Sequence, residues 1–163
     1  MERSNLIIRP LEKRDVEFVG KIFDQYWADD FRNNLSSKLE SYFQNDVVLK
    51  NQKFKFFVVE ENGEIVGVDA IRNLPIHLKE YSSTSNPAEL YVVAVKNIGK
   101  GVGKVLVSQK FELAKNEGYT EILLFSGETH QDSWKFYDKY FERLGHAIAP
   151  NNEQGYIWRK LLI

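Results

Sequence analysis

Three of the chain's ten glycines, Gly99, Gly101 and Gly103, fall within five positions of one another in "AELYVVAVKNIGKGVGKVL", where a strand-like run gives way to a helix. Lys100 and Lys104 are interleaved with them. A helix N-terminus offers backbone N–H groups without intrahelical acceptors and the positive end of the helix dipole. Small residues let an anion approach those groups and lysines add charge, so the segment suits a phosphate or pyrophosphate. A mononucleotide P-loop is excluded, because that motif spaces its glycines more widely and follows Gly-Lys with Ser or Thr, whereas Val105 follows Gly103-Lys104. A dinucleotide fingerprint fits poorly: Lys104 stands where its third glycine belongs, and the segment lies mid-chain behind an antiparallel hairpin. The remaining alternative is a plain flexible turn.

Other reactive residue types narrow the chemistry. The chain has no cysteine, which removes a thiol nucleophile, a disulfide framework and a Cys-based metal site. His77, His130 and His146 are not joined by HExxH or comparable spacing, so no metal is expected. No serine sits in a nucleophile elbow. Trp27, Trp134 and Trp158 read most simply as core or rim residues.

The elements that must hold these residues follow from periodicity. "LIIRPL" predicts an edge strand closed by Pro10. Val16, Val19, Ile22, Phe23, Tyr26 and Trp27 predict an amphipathic helix over Lys13–Trp27, with Asp15 at its positive end. Leu35, Leu39, Tyr42 and Phe43 predict a second helix. "FKFFVVEENGEIVGVDAI" reads as two strands joined by a type I′ turn at Asn62-Gly63. The polar connection "RNLPIHLKEYSSTSNP" is long for a compact domain and suits a functional loop. "AELYVVAV" predicts a strand buried on both faces. The helix after the glycines runs to Asn116, with Val102, Val105, Leu106 and Leu113 as its buried stripe, Lys104, Lys110 and Lys115 elsewhere, and Gly118 as its stop. "EILLFS" is a buried strand. Asp132–Leu144 reads as an aromatic-rich helix ended by Gly145, and the tail as a hairpin around Asn151–Gly155. The fold class is α/β, an α+β mixed sheet.

At 163 residues the chain is expected to form one domain, residues 1–163. Charged residues make up 28% with a formal net charge of −1, which argues against a broad basic surface, so no nucleic-acid partner is expected. No leader-like segment and no apolar run of about 20 residues is present, so a cytoplasmic protein without a membrane partner is expected. A homodimer stays open.

With its strand included, "ELYVVAVKNIGKGVGKVL" resembles the acetyl-CoA-binding core of the GNAT superfamily of N-acetyltransferases. Val93 matches the family's strand valine, and Gly101 and Gly103 match the glycines of its Arg/Gln-x-x-Gly-x-Gly/Ala pattern. Ile98 stands at the Arg/Gln position, a departure that removes one side-chain contact to the pyrophosphate. The order of elements matches over nearly the whole chain. The resemblance implies a mostly antiparallel central sheet whose fourth and fifth strands splay, with helices around it. It implies acetyl-CoA as co-substrate, held by backbone groups of Val93, Ala94 and Val95 along the pantetheine arm. Gly99, Lys100, Gly101, Val102, Gly103 and Lys104 would cradle the pyrophosphate.

A second family segment resembles "HQDSWKFYDKYFERLGH", which offers His130, Ser133, Phe136 and Tyr137 in its first part and Leu144 and Gly145 in its second. By this likeness His130 and Ser133 contact the cofactor. Aligned from its end, the segment puts Phe141 at the tyrosine position; Tyr137 is preferred as the acid because it lies nearer the helix start, with Tyr140 in reserve.

Acyl transfer from a thioester to an amine needs a neutral amine, a donor for the developing oxyanion and a proton source for the departing thiolate. The resemblance makes Glu89 the base, acting through water, with Tyr137 as the acid and the N–H of Val93 or Ala94 as the oxyanion donor; no acyl-enzyme is implied. Solvated strand-edge and core-packing roles are the respective alternatives for the two side chains. The acceptor, a primary amine on a small molecule or peptide, is expected near Tyr26, Trp27, Asp29, Asp30, Phe31 and Tyr81, an aromatic and acidic mixture that also describes an ordinary helix end. His77 could face it or be solvated. The rival function is a non-catalytic acyl-CoA-binding sensor or interaction module.

Overall fold

The computed structural model of the chain describes residues 5–27 and 29–162, with 29–31 as backbone only. It is a mixed α/β fold around a seven-stranded sheet. The strands are β1 (Leu6–Pro10), β2 (Lys55–Glu61), β3 (Glu64–Asn73), β4 (Pro87–Val95), β5 (Glu121–Gly127), β6 (Glu142–Ile148) and β7 (Gln154–Leu161). Their order in the sheet is β1-β2-β3-β4-β5-β7-β6. β1, β2 and β3 pair antiparallel in turn, as do β5, β7 and β6. β4 and β5 are parallel, and their register covers Pro87–Glu89 against Glu121–Leu123.

Two compact units make up the chain: Met1–Ile71 with Val92–Gln109, and Arg72–Tyr91 with Lys110–Ile163. The first unit carries α1 (Val16–Phe23), α2 (Asp29–Phe43), α3 (Val47–Asn51) and the opening turns of α4 (Val102–Asn116). The helix expected over Lys13–Trp27 is shorter. A 3-10 turn at Lys13–Asp15 precedes α1, and Trp27 N–H closes a last turn onto Phe23 O at 3.1 Å. Val19, Ile22 and Phe23 are buried at the expected spacing. α2 begins at Asp29, ahead of the expected Leu35, and buries Leu35 and Leu39. α3 is an addition to the sequence reading; Asp46 opens it by accepting the N–H of Leu49 at 3.1 Å. The β2–β3 turn is as the sequence demands, with φ of 53° at Asn62 and 80° at Gly63. Val59, Val66, Val102 and Leu106 form a buried cluster onto which Leu6, Ile8, Val93 and Val95 pack.

The second unit is built on Leu74, Leu78, Leu123, Ala147 and Ile157, with Tyr81, Phe125 and Leu144 against them. The long polar connection holds a 3-10 turn at Ile76–Tyr81. Its exit is gripped by the buried carboxylate of Glu121. Ser82 Oγ, Ser83 N–H and Oγ, and Thr84 N–H and Oγ1 all donate to it at 2.9–3.3 Å. These donors hold the Glu121 carboxyl below its ordinary range even though burial pushes the other way.

Three expectations are corrected here. The helix expected over Asp132–Leu144 is a 3-10 turn (Glu128–Ser133) followed by α5 (Trp134–Tyr140); Phe141 is extended (φ −130°, ψ 163°), and Leu144 and Gly145 belong to β6, paired with β7. Arg143 fixes that corner by a two-pronged bond to Asp138 (3.0 and 2.8 Å), with its guanidinium 4.9–5.3 Å from the rings of Trp134, Tyr156 and Trp158. Lys110, expected outside the α4 stripe, is wholly buried, while Val105 and Leu113 are only half-buried. β4 is buried throughout only over Ala88–Leu90. From Tyr91 to Val95 half-buried and buried residues alternate, so one face is partly open.

Candidate functional site

In the first unit, the end of β4, the glycine loop and the start of α4 are consecutive. Lys96 N–H donates to Val66 O at 2.8 Å, which ties this end of β4 to β3. Strand alternation then turns the peptide groups of Ala94 toward β3 and those of Val93 and Val95 away from it. The Val95 carbonyl accepts the hydroxyl of Tyr26 at 2.5 Å.

Beyond Val95 the backbone takes positive φ at Gly99 (84°) and Gly101 (80°), a region that costs other L-residues about 1–2 kcal/mol. A Cβ at either glycine would meet no atom within 4 Å. These glycines therefore serve the turn, and the space beside them is open. α4 starts at Val102, and its first intrahelical bond runs from Val105 N–H to Gly101 O at 3.2 Å. The N–H groups of Val102, Gly103 and Lys104 are left without intrahelical acceptors. No acidic residue occupies this first turn, and Lys100 and Lys104 are exposed. Gly67 sets how closely α4 approaches β3: a Cβ there would stand 2.6 Å from Val102 Cγ1 and 3.2 Å from Leu106 Cδ1. Free amides, two lysines and open space over glycine fit a pyrophosphate. Ile98, at the Arg/Gln position, is 78% exposed and contributes only an apolar side chain.

In the second unit, Glu89 on β4 is buried rather than solvated at a strand edge. Arg72 Nε donates to its Oε1 at 2.6 Å, with the two side chains 11% and 8% exposed. The guanidinium of Arg72 lies 4.7 Å over the ring of Tyr91. Burial pushes the Tyr91 hydroxyl up to about 12, with the Arg72 charge opposing. His77, in the exposed 3-10 turn, is pulled below the ordinary histidine value by partial burial and by the charge of Arg72. Arg72, Glu89, Tyr91 and His77 thus form one group. Sequence reasoning missed Arg72 and Tyr91; the available signal was a cation following the apolar residues of a predicted strand in "IVGVDAIRN".

Tyr137 lies on α5 with its ring 5.5 Å from Trp158 and 6.2 Å from Phe141. Burial pushes its hydroxyl up to about 12, so it keeps its proton through the neutral range. Tyr140, one turn along, packs on Phe136 at 5.0 Å and under Lys139. Phe141 is buried against Phe111. Ser133 is half-buried at the start of α5, and His130 sits at a kink before it (φ −118°, ψ 32°). Partial burial lowers the His130 pKa against the pull of Glu153. Of the residues expected around the acceptor, Tyr26 and Trp27 lie 5.9 Å apart after α1, and Tyr81 packs on the second unit's core. The side chains of Asp29, Asp30 and Phe31 lie outside the described residues. Among the described residues no group of three or more His, Asp or Glu could hold a metal, and no helix is long and apolar enough to cross a membrane.

Comparison with known proteins gives this arrangement a lineage. N-acetyltransferase 8 of Rattus norvegicus is 30% identical over 132 residues, 79% of this chain and 55% of its own length. The chain spans about half the length of the curated relatives it matches. A GNAT-family protein from Desulfovibrio desulfuricans superposes with a TM-score of 0.80 at 13% identity, over 98% of this chain and 100% of its own. Aminoglycoside acetyltransferase AAC(6')-Ib, solved with coenzyme A and kanamycin, superposes at 0.73 and 20% identity, over 96% of this chain and 95% of its own. These likenesses share the fold. The acetyltransferase (GNAT) family model matches residues 20–142, and the chain belongs to that family.

Proposed function

We propose that this chain is an acetyl-CoA-dependent N-acetyltransferase, a single domain over residues 1–163 that moves an acetyl group directly to a primary amine of a small molecule or peptide. The observation that carries this reading is the start of α4: unpaired amides of Val102, Gly103 and Lys104 under a glycine turn with Lys100 and Lys104 beside it. Gly99–Lys104 hold the pyrophosphate. The outward peptide groups of Val93 and Val95, with Ala94 between them, pair with the pantetheine arm as a strand would. By the family likeness, His130 and Ser133 are further contacts of the cofactor.

Bound acetyl-CoA supplies a thioester carbon open to attack by an amine. Glu89 takes the proton of the acceptor ammonium through water, and the Arg72 guanidinium holds its carboxylate in place. The N–H of Val93, on the outward edge of β4, meets the charge that develops on the acetyl oxygen. Tyr137 serves the departing sulfur. Its hydroxyl, at about 12, lies above a thiol's ordinary ~8.5, so it acts chiefly by donating a hydrogen bond rather than by yielding its proton outright. A relative crystallised with an aminoglycoside supports an amine acceptor.

Calorimetric titration with acetyl-CoA tests the cradle, run beside Lys100→Glu/Lys104→Glu, which reverses two exposed charges without touching the core. Micromolar binding by the native chain and at least ~10-fold weaker binding by the variant, at an unchanged Tm, is expected. Equal binding by both proteins would remove the cradle. A screen of amines by thiol release then separates an enzyme from a sensor that binds acetyl-CoA and turns nothing over.

A further inference from the structure

A strand edge facing away from its sheet neighbour presents unpaired N–H and C=O groups, and folded proteins keep such edges covered. At the end of β4 one of those groups is already taken. The Tyr26 hydroxyl donates to the Val95 carbonyl at 2.5 Å. Because Lys96 N–H points to Val66, that carbonyl lies on the outward edge, which the proposed pantetheine arm would use.

Tyr26 is held there from behind. Its N–H bonds to Phe23 O at 3.0 Å and that of Trp27 to the same carbonyl at 3.1 Å, with Phe23 fully buried. The ring of Trp27 packs on Phe23 at 5.4 Å and on Tyr26 at 5.9 Å. The phenol is half-buried and burial raises its pKa, so it stays a donor at neutral pH.

We propose that Tyr26 gates the arm of acetyl-CoA: in the free protein it caps the Val95 carbonyl, and binding passes that carbonyl from the phenol to an amide N–H of the arm. This rests on the assignment of acetyl-CoA to the site. The exchange trades one hydrogen bond for another, so the phenol lowers affinity for any ligand that carries the arm and leaves arm-free ligands unaffected. Its release also frees the turn after α1, where the acceptor is expected, which orders cofactor before acceptor.

Tyr26→Phe keeps the ring and removes the hydroxyl. Acetyl-CoA and ADP, which has the pyrophosphate but no arm, are titrated into both proteins. Acetyl-CoA is expected to bind Tyr26→Phe ~2- to 10-fold more tightly, the span of one net hydrogen bond, with faster association in stopped flow. ADP is expected to bind both proteins alike. Unchanged or weaker acetyl-CoA binding by the variant overturns the gate, as does an equal gain for ADP. A native chain that binds neither ligand overturns the cofactor site itself, a separate failure.

Discussion

In the proposed mechanism the deciding pair is Glu89 with Arg72. A carboxylate so placed is fixed in position, which suits a base working through water and argues against a mobile one. The two halves of the pair should fail differently. Glu89→Gln keeps the shape and a bond to Arg72 while removing the proton acceptor, so turnover should fall ~100-fold or more with little change in acetyl-CoA Kd. Arg72→Leu takes away a close charged partner of the buried Glu89, so the loss appears first as stability, on the order of 3 kcal/mol in denaturant unfolding. If Glu89→Gln retains its turnover, Glu89 is a structural partner of Arg72 and the base lies elsewhere. At this scale the sequence offered Glu89 and Tyr137 as candidates but not their neighbours. Arg72 is 17 positions from Glu89 along the chain, and the bond between them exists only after strands form.

Elements show where local pattern suffices. Asn62-Gly63 settles its hairpin because the turn's positive φ is a property of two residues. The glycine loop and the helix after it were legible for the same reason. α5 was not. Its aromatic spacing continues into Phe141 and Leu144, yet pairing with β7 and the Arg143–Asp138 clasp end the helix at Tyr140. Lys110 was misplaced because charge predicts exposure, and the burial of a single lysine is decided by packing. Gly67 illustrates packing that controls a site at a distance in sequence. Gly67→Ala must push Val102, the first residue of α4, out of a 2.6 Å overlap. Acetyl-CoA binding should weaken ~3- to 10-fold while far-UV circular dichroism stays native. An unchanged Kd would mean that the loop absorbs the shift without moving its amides.

At the scale of the whole molecule, each unit holds a buried acid whose carboxyl lies below its ordinary range. In the first, Asp15 accepts two bonds from Arg9 (2.7 and 2.8 Å) and one from Glu12 N–H (2.8 Å), and these hold its carboxyl below the ordinary value. In the second, Glu121 is held low by the Ser82–Thr84 donors. Both folded values lie below the unfolded ones, about 3.9 for Asp and 4.3 for Glu. The stability they contribute is therefore complete above those values and lost as pH falls through the folded ones. The contribution of the two acids should be flat from neutrality to about pH 5 and fall below about pH 4, while His77 and His130, both held below the ordinary histidine value, should start a shallow decline of Tm below about pH 6.5. Glu121→Gln should lower Tm at neutral pH and make the acid decline shallower. An identical acid decline in the variant would show that Glu121 does not report on folding.

The grip of Glu121 has one more consequence. Leu74 N–H to Pro87 O closes the neck of the long connection, and the Ser82–Thr84 anchor fastens its exit, so the span over Ile76–Tyr81 is secured at both ends by residues outside it. A segment clipped in this way can be varied at its exposed positions, Ile76, His77, Lys79 and Glu80, while Leu78 and Tyr81 keep the core and the fastenings stay in register. Over generations that makes it an interchangeable part: a lineage could try new acceptors there without relearning how to fold.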